Sequence, residues 1–294
     1  MVKDTWGGIW TELKLDTFEK YVKAYLKIMN NNRDKYGWKL IYFDAFAGSG
    51  SKGLKKQKEN ELELFHFTEE NGAVYRGAAE RVVNIDSRGF DYYYFIESDA
   101  KAKAELEKKL ESANAVKKLD LQYRLGDANK YLKELAETMK NYTMFRSLVL
   151  IDPFGMQIDW KSIEQFKGTR TDLWILVPSG VIINRLLDGT KKLKNIKKLS
   201  SFFGLPEDEI KNYFYKKNAN PNLFNMEEYQ KISEPIQNIV ELYMQRLHTI
   251  FNMVTPMPLK MLNSRNVPIY HFAFVSNNPT ALKIANDIIE REMK

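Results

Sequence analysis

The feature that most constrains the fold is a recurring order of short apolar segments and longer stretches with helical spacing. The apolar segments are rich in β-branched and aromatic residues, and they cover 39–44, 92–97, 121–125, 147–152 and 172–178. Runs of this length and composition are typical of buried parallel strands. Their alternation with helices predicts an α/β fold with a mostly parallel sheet and helices on both of its faces.

Acidic residues follow four of these predicted strands. Asp44, Glu97, Asp127 and Asp152 lie at the end of a strand or in the turn directly after it. Parallel sheets bind ligands outside the carboxyl ends of their strands, at the point where the strand order reverses. One acid at such a position is readily explained by solvation, but four in register predict a ligand site at this edge.

The rest of the chain divides around the predicted sheet. We predict an N-terminal helical segment at 1–38, a core formed by 39–184 and 252–294, and a helical insertion at 185–251. Turn residues at 263–266 lie between two apolar runs and predict a C-terminal antiparallel hairpin. A final helix is expected over 279–293.

The boundaries of the first helix are suggested by capping residues. Asp16 is followed three residues later by Glu19, which is the pattern of a capping box. Asn30, Asn31 and Asn32 then indicate fraying, and Gly37 ends the segment. We therefore expect the helix to begin at Asp16.

Composition excludes several kinds of chemistry. The 294 residues contain no cysteine and three histidines, so disulfides, thiolate nucleophiles and cysteine zinc sites are excluded and a histidine-rich metal site is not expected. There is no apolar run that suggests a signal peptide or a membrane span, and we expect a cytoplasmic protein without membrane contact. A net charge of +7 favours an anionic partner such as nucleic acid, although lysine-rich proteins are often basic without one.

A glycine-containing loop directly follows the first predicted strand. Its sequence, 44–50, reads D-A-F-A-G-S-G, and Gly48 and Gly50 allow a ligand to approach the backbone closely. Ser51-Lys52 has the wrong order for a phosphate-binding P-loop. Gly53 completes the spacing of a dinucleotide fingerprint, but no helix clearly begins there.

This loop resembles the first motif of S-adenosylmethionine-dependent methyltransferases, especially those that modify amino groups of nucleic-acid bases. The resemblance implies a Rossmann-like methyltransferase fold and S-adenosylmethionine as the cofactor. The loop would then lie along the methionine part of that cofactor, with Asp44, Phe46, Gly48 and Gly50 as its contact residues.

The same resemblance assigns roles to the next two strand ends. Glu97 matches the acid that accepts hydrogen bonds from the ribose hydroxyls, which a carboxylate does well because it can accept from both. Asp127 matches the acid near the adenine amino group, and Ala128 would contribute its backbone. A surface acid at the start of a helix is the alternative for Glu97 taken alone.

The turn after the fourth strand carries the expected catalytic residues. Amino-methyltransferases of this kind have Asp or Asn, two prolines and an aromatic residue there, whereas this chain has Asp152, Pro153, Phe154 and Gly155. Asp152 can still accept a hydrogen bond from a target amine. Phe154 comes one position early, so its stacking on a base is in question, and a purely structural turn is the alternative.

Longer stretches resemble one family in particular, the three-Cys-motif partner proteins (TcmP). They are T-x-x-K-L-x-x-x-x-K-Y, Y-F-D-A-F-A-G-S-G, I-D-P-F-G-M-Q-I-D-W and D-L-W-I-L-V-P-S-G-x-x-x-N-R-L-L, and their order and spacing extend over about residues 11–290. The resemblance implies a methyltransferase-like chain that works with a radical-S-adenosylmethionine-like protein containing three cysteines. It implies no particular substrate.

Several features have two interpretations. Lys14 either reaches the site from the N-terminal segment or is a surface lysine, and Asn184-Arg185 either faces the site or does not. Lysines at 51–60 indicate a surface loop or a lid, and those at 191–198 a solvated helix face or a phosphate contact.

Three functions therefore stay open. The chain is a methyltransferase for an exocyclic amine of DNA or RNA, a methyltransferase for a small molecule or protein, or a module that binds the cofactor without transferring its methyl group.

Overall fold

The computed structural model describes residues 9–48, 77–187, 195–217 and 229–293. The strands are β1 (Lys39–Asp44), β2 (Tyr92–Glu97), β3 (Leu121–Leu125), β4 (Phe145–Ile151), β5 (Thr171–Val177), β6 (Tyr215–Lys217), β7 (Tyr229–Lys231), β8 (Met253–Val254), β9 (Leu259–Leu262) and β10 (Pro268–Ser276). The helices are α1 (Ile9–Tyr36), α2 (Ala78–Val83), α3 (Ala100–Lys117), α4 (Ala128–Asn141), α5 (Trp160–Glu164), α6 (Asn184–Leu186), α7 (Ile196–Phe203), α8 (Glu207–Phe214), α9 (Pro235–His248) and α10 (Pro279–Glu292). Within these ranges, no helix is long and apolar enough to cross a membrane.

The main sheet has the strand order β3-β2-β1-β4-β5-β10-β8, and β9 pairs with β10 outside this path. Strands β1 to β5 run parallel to one another. Strand β10 runs antiparallel to β5, β8 and β9. The predictions of a mostly parallel sheet and of a C-terminal antiparallel hairpin are therefore confirmed.

Two apolar layers cover the sheet because the side chains of each strand alternate between its faces. On one face, Phe18, Tyr21 and Val22 of α1 pack with Leu40 and Tyr42 of β1. Helices α3 and α10 contribute to the same layer. The opposite face of β1 packs in a layer that includes α4, α5 and the helices after residue 195.

The predicted insertion at 185–251 shares this second layer. Phe203 of α7 and Tyr243 of α9 belong to the same buried cluster as Val149 of β4. The described part of this segment contains the helices α7, α8 and α9 and also the antiparallel pair β6–β7. Pairing of this short hairpin was not visible in the sequence because each of its strands has only three residues.

The start of the first helix was predicted wrongly. Helix α1 begins at Ile9, which places Asp16 in the helix interior and not at its cap. The carboxylates of Glu12, Asp16 and Glu19 instead contact the guanidinium of Arg81 in α2. These acids lie on one side of α1 because they are four and three residues apart. A tertiary contact, rather than a cap, therefore explains their spacing.

Gly37 ends the first helical segment as predicted, but the fraying predicted at 30–32 is not found. Asn30 does not fray the helix, because its Nδ2 donates a hydrogen bond to the carbonyl oxygen of Arg88 at 2.7 Å. Asn32 Nδ2 donates within the helix to Ile28 O. The helix ends at Tyr36, and Gly37 follows with a positive φ of 65°, which is a common helix terminus.

Candidate functional site

The sheet register brings the predicted acids to one edge. Asp44 at the end of β1 lies beside Phe95 of β2 and Leu150 of β4. Glu97 at the end of β2 lies beside Leu125 of β3. The chain continues from β1 to β2 and β3 on one side and returns to β4 and β5 on the other. This edge next to β1 and β4 is therefore the switch point at which parallel sheets bind ligands.

Asp44 is a buried carboxyl group at this switch point. Its Oδ1 accepts a hydrogen bond from Phe46 N at 3.2 Å, and its Oδ2 accepts one from Tyr42 Oη at 3.2 Å. The pKa of Asp44 is raised to about 7, mainly by burial and also by the negative charge of Asp152, against the lowering effect of the Phe46 N–H. Asp44 is thus partly protonated near neutral pH, and a cation placed beside it would favour its charged form.

An ion pair connects the first helix to the end of β4. Lys14 is 7% exposed, and its Nζ lies 2.5 Å from Asp152 Oδ2. Within the described residues, no hydrogen-bond donor approaches the other oxygen, Asp152 Oδ1. Of the two interpretations of Lys14, the structure supports its position in the site. The carboxylate of Asp152 is consequently held on one side and keeps an acceptor on the other.

The glycine loop contacts the acid at the end of β2. Gly48 has a positive φ of 56°, and its N–H donates a hydrogen bond to Glu97 Oε2 at 3.1 Å. Glu97 Oε1 accepts from Asp99 N at 2.8 Å and from the exposed Ser98 hydroxyl at 3.3 Å. Each carboxylate oxygen can accept two hydrogen bonds, so Glu97 Oε2 keeps one acceptor position. Gly50 and the lysine-rich loop or lid at 51–60 lie outside the described residues.

Asp127 and Ala128 lie at the same edge, next to Glu97. Gly126 N donates to the carbonyl oxygen of Glu97 at 3.0 Å, which brings the turn after β3 against the end of β2. Asp127 is exposed and caps α4 by accepting from Asn129 N at 2.9 Å. Ala128 is buried. Capping is a structural role of Asp127 that does not use its second oxygen.

The turn after β4 presents an aromatic ring to solvent. Phe154 is 75% exposed, whereas Pro153 before it is buried. Tyr270 of β10 donates from its Oη to the carbonyl oxygen of Phe154 at 3.4 Å. Trp10 of α1 stacks on Tyr270 with ring centroids 5.5 Å apart. Aromatic side chains from three separate parts of the chain thus lie near the carboxylate of Asp152.

The sequence did not single out Trp10, Tyr42 or Tyr270. Tyr42 and Tyr270 lie inside predicted strands, where aromatic residues are expected as core, and this explains why they were missed. The pKa of Tyr270 is raised to about 12, mainly by burial and also by the charge of Asp152. Its hydroxyl therefore stays protonated and able to donate a hydrogen bond.

Other predicted features lie elsewhere or outside the described residues. Asn184 accepts hydrogen bonds from Lys231 Nζ through both its side-chain and backbone oxygens, at 2.7 and 2.8 Å, and so anchors β7. The side chain of Arg185 and residues 191–194 are outside the described residues. Lys197 and Lys198 are exposed on α7.

Comparisons with known proteins add a likeness to solved structures. No protein-family model matches this chain. No curated protein matches it. Among solved structures, the chain is similar to protein LPL1258 from Legionella pneumophila str. Philadelphia 1, of the family model DUF519. The identity is 13%, the match covers 95% of this chain and 91% of that chain, and the TM-score is 0.49. A likeness at this level carries no functional argument.

Proposed function

We propose that this chain is an S-adenosylmethionine-dependent methyltransferase of the Rossmann-like methyltransferase fold that acts on an exocyclic amine of a nucleic-acid base. The observation that carries the proposal is the contact between Gly48 N and Glu97 Oε2, beside the carboxyl groups of Asp44 and Asp152. The sheet order is compatible with this fold, with its antiparallel strand next to β5. The resemblance of 44–50 to the first methyltransferase motif supports the cofactor.

The residues present fit such a donor. Glu97 Oε2 keeps an acceptor for one ribose hydroxyl, and rotation of the exposed Ser98 hydroxyl would free Oε1 for the other. Asp127 with the backbone of Ala128 would hold the adenine. The loop that begins at Asp44 and Phe46 and contains Gly48 would hold the methionine part. Because the donor is positively charged at sulfur and at its amino group, a buried carboxyl group such as Asp44 suits it. When bound, the donor supplies a methyl group that is already reactive toward a nitrogen lone pair.

The turn after β4 would position the substrate. Asp152 Oδ1 would accept a hydrogen bond from the target amine and orient its lone pair toward the methyl group. Lys14 holds the other oxygen at 2.5 Å and so fixes the direction of the carboxylate. Phe154 is exposed and available to stack on the base. Catalysis would consist mainly of orientation, so no proton need leave the amine before attack.

The net charge of +7 agrees with a nucleic-acid substrate. A duplex substrate would need its target base flipped out of the stack, since the amine must reach Asp152. The resemblance to the three-Cys-motif partner family also suggests a radical-S-adenosylmethionine-like protein as a partner.

A second candidate is a module that binds the cofactor without methyl transfer. It is favoured by the short contact of Lys14 with Asp152, which occupies one of the carboxylate oxygens. It is also favoured by Gly155, which stands where related enzymes have their aromatic residue.

The test is methyl transfer from a tritiated donor to mixed DNA and RNA, with cofactor binding measured by calorimetry on the same sample. Label in nucleic acid supports the enzyme. Tight cofactor binding without label in any nucleic acid supports the second candidate.

We expect Glu97→Ala to weaken cofactor binding by about 1.5–3 kcal/mol, the loss typical of hydrogen bonds to a charged group. Calorimetry should show one site in the wild type and this weakened site in the variant. Glu111→Ala, which removes an exposed acid from α3, is the control and should bind normally. If Glu97→Ala binds the cofactor as tightly as the wild type, the assignment of Glu97 to the ribose hydroxyls is wrong.

Cofactor affinity is expected to rise as the pH increases through about 7. Protonated Asp44 must lose its proton to interact well with a cation, so below its pKa the association constant falls by up to about tenfold per pH unit. Calorimetry from about pH 5 to 7 covers the lower part of this rise, where a free α-amino group with a pKa near 8 stays mostly protonated. Asp44→Asn should flatten this dependence, whereas the surface variant Asp86→Asn should keep it. A wild-type affinity that is constant over this range contradicts the role of Asp44.

A further inference from the structure

The opposite edge of the sheet carries a stack of rings and cations. We call it the amino-edge patch, defined by Lys35, Tyr36, Trp38, Arg146 and Arg170. The rings of Tyr36 and Trp38 are stacked, with centroids 4.8 Å apart and planes at 21°. Arg146 Cζ lies 4.3 Å from the Trp38 centroid, and Lys35 Nζ lies 5.1 Å from that of Tyr36. The patch lies next to the amino ends of β1, β4 and β5.

Exposed large side chains lie in the patch and beside it. Tyr36 is 53% exposed. Tyr142 and Met144, which precede β4, are 56% and 43% exposed. Backbone pairing brings Met144 to β1, because Lys39 N donates to Met144 O at 3.0 Å. Exposed apolar groups that cluster on one surface are typical of binding sites.

The two arginines of the patch, Arg146 and Arg170, have no carboxylate partner among the described residues. Ser147 N donates to Arg170 O at 3.2 Å, which brings the segments of Arg170 and Arg146 side by side. The pKa of Arg146 is lowered by burial and by the charge of Arg170. Among the described residues, no carboxylate forms an ion pair with either guanidinium. Nearby Lys39 differs, since its Nζ lies 3.2 Å from Asp91.

Two neighbouring guanidinium groups repel one another, and an anion between them removes the repulsion. The guanidinium of Arg146 donates to two backbone oxygens through Nη1 alone, so other donors remain for a ligand. The ligand must therefore offer negative charge beside flat apolar surface. Phosphates joined to unstacked bases combine these two properties.

We infer that the amino-edge patch binds single-stranded nucleic acid, with phosphates at Arg146 and Arg170 and a base on the exposed ring of Tyr36. The patch is separate from the candidate methyltransferase site. The six residues of β1 rise about 3.3 Å each, so Asp44 lies about 20 Å away. Binding here does not depend on methyl transfer.

The experiment measures fluorescence polarisation of labelled oligothymidylate and oligouridylate with the full chain at several salt concentrations. Arg170→Ala should weaken binding about tenfold and lower the slope of log affinity against log salt by about one. Lys108→Ala removes the same charge from the exposed face of α3 and should leave both quantities unchanged. Tyr36→Ala should weaken binding about tenfold, and Tyr36→Phe, which keeps the ring, should restore it.

Several outcomes would overturn the inference. If Arg170→Ala and Lys108→Ala have equal affinities and equal salt slopes, Arg170 does not contact a phosphate. Binding that is lost in Phe154→Ala but kept in the patch variants would place all strand binding at the other edge. Capture of polyglutamate or anionic vesicles, but of no oligonucleotide, would assign the patch to another class of partner. If methyl transfer to nucleic acid persists in each of these cases, the proposed function still holds. If the patch binds single strands but no methyl transfer is found, the inference still holds.

Discussion

Asp152→Ala is expected to lower the turnover of methyl transfer by about a thousandfold or more, the scale of effect seen when a reacting group loses its orientation. The carboxylate addresses the target amine, so the affinity for the cofactor should change by less than about threefold. Steady-state kinetics with a methylated nucleic acid as product, together with calorimetry for the cofactor, separates these two quantities.

Two variants of the same turn serve as controls. Asp152→Asn keeps an oxygen acceptor and should retain part of the turnover. Phe154→Ala should act mainly on KM, by about 1–3 kcal/mol if its ring stacks on the base. Thermal melting shows whether each variant folds. If Asp152→Ala folds and keeps its turnover, the catalytic assignment is wrong. If both variants unfold, the ion pair between Lys14 and Asp152 is structural.

The second large effect concerns the fold. Gly204→Ala is expected to lower the free energy of unfolding by about 2–5 kcal/mol, from left-handed backbone strain and overpacking together. Gly204 ends α7 with a φ of 64°, and an added Cβ would lie 2.1 Å from Cδ1 of Trp160. Trp160 is buried and cannot move aside easily. Denaturant unfolding followed by circular dichroism measures the change.

Gly168→Ala is the matched control. Gly168 also has a positive φ, of 73°, but no atom lies within 4 Å of the added Cβ. Only the left-handed strain applies, so this variant should lose about 1–2 kcal/mol. Because α7 and α9 share a buried layer with the sheet, Gly204→Ala should unfold in one transition. Two separate transitions would show that the inserted helices unfold on their own.

The sequence by itself determined the sheet and the position of the candidate site. Strands β1, β2 and β3 have the predicted boundaries, because a short apolar run between polar turns has few other ways to bury its side chains. The acids at the ends of these strands lie at one edge, as parallel pairing requires. Roles in cofactor binding stay predictions.

Only the tertiary structure decided which partners these acids have. Lys14 and Asp152 are 138 residues apart in sequence, and they meet because α1 packs across β1 and β4. The strand order also brings Tyr270 to the turn at Phe154, since β10 runs antiparallel beside β5. Asp16 has the local pattern of a helix cap, yet it binds Arg81 of α2. Local spacing predicts elements and their ends, whereas contacts between distant segments depend on how the helices pack on the finished sheet.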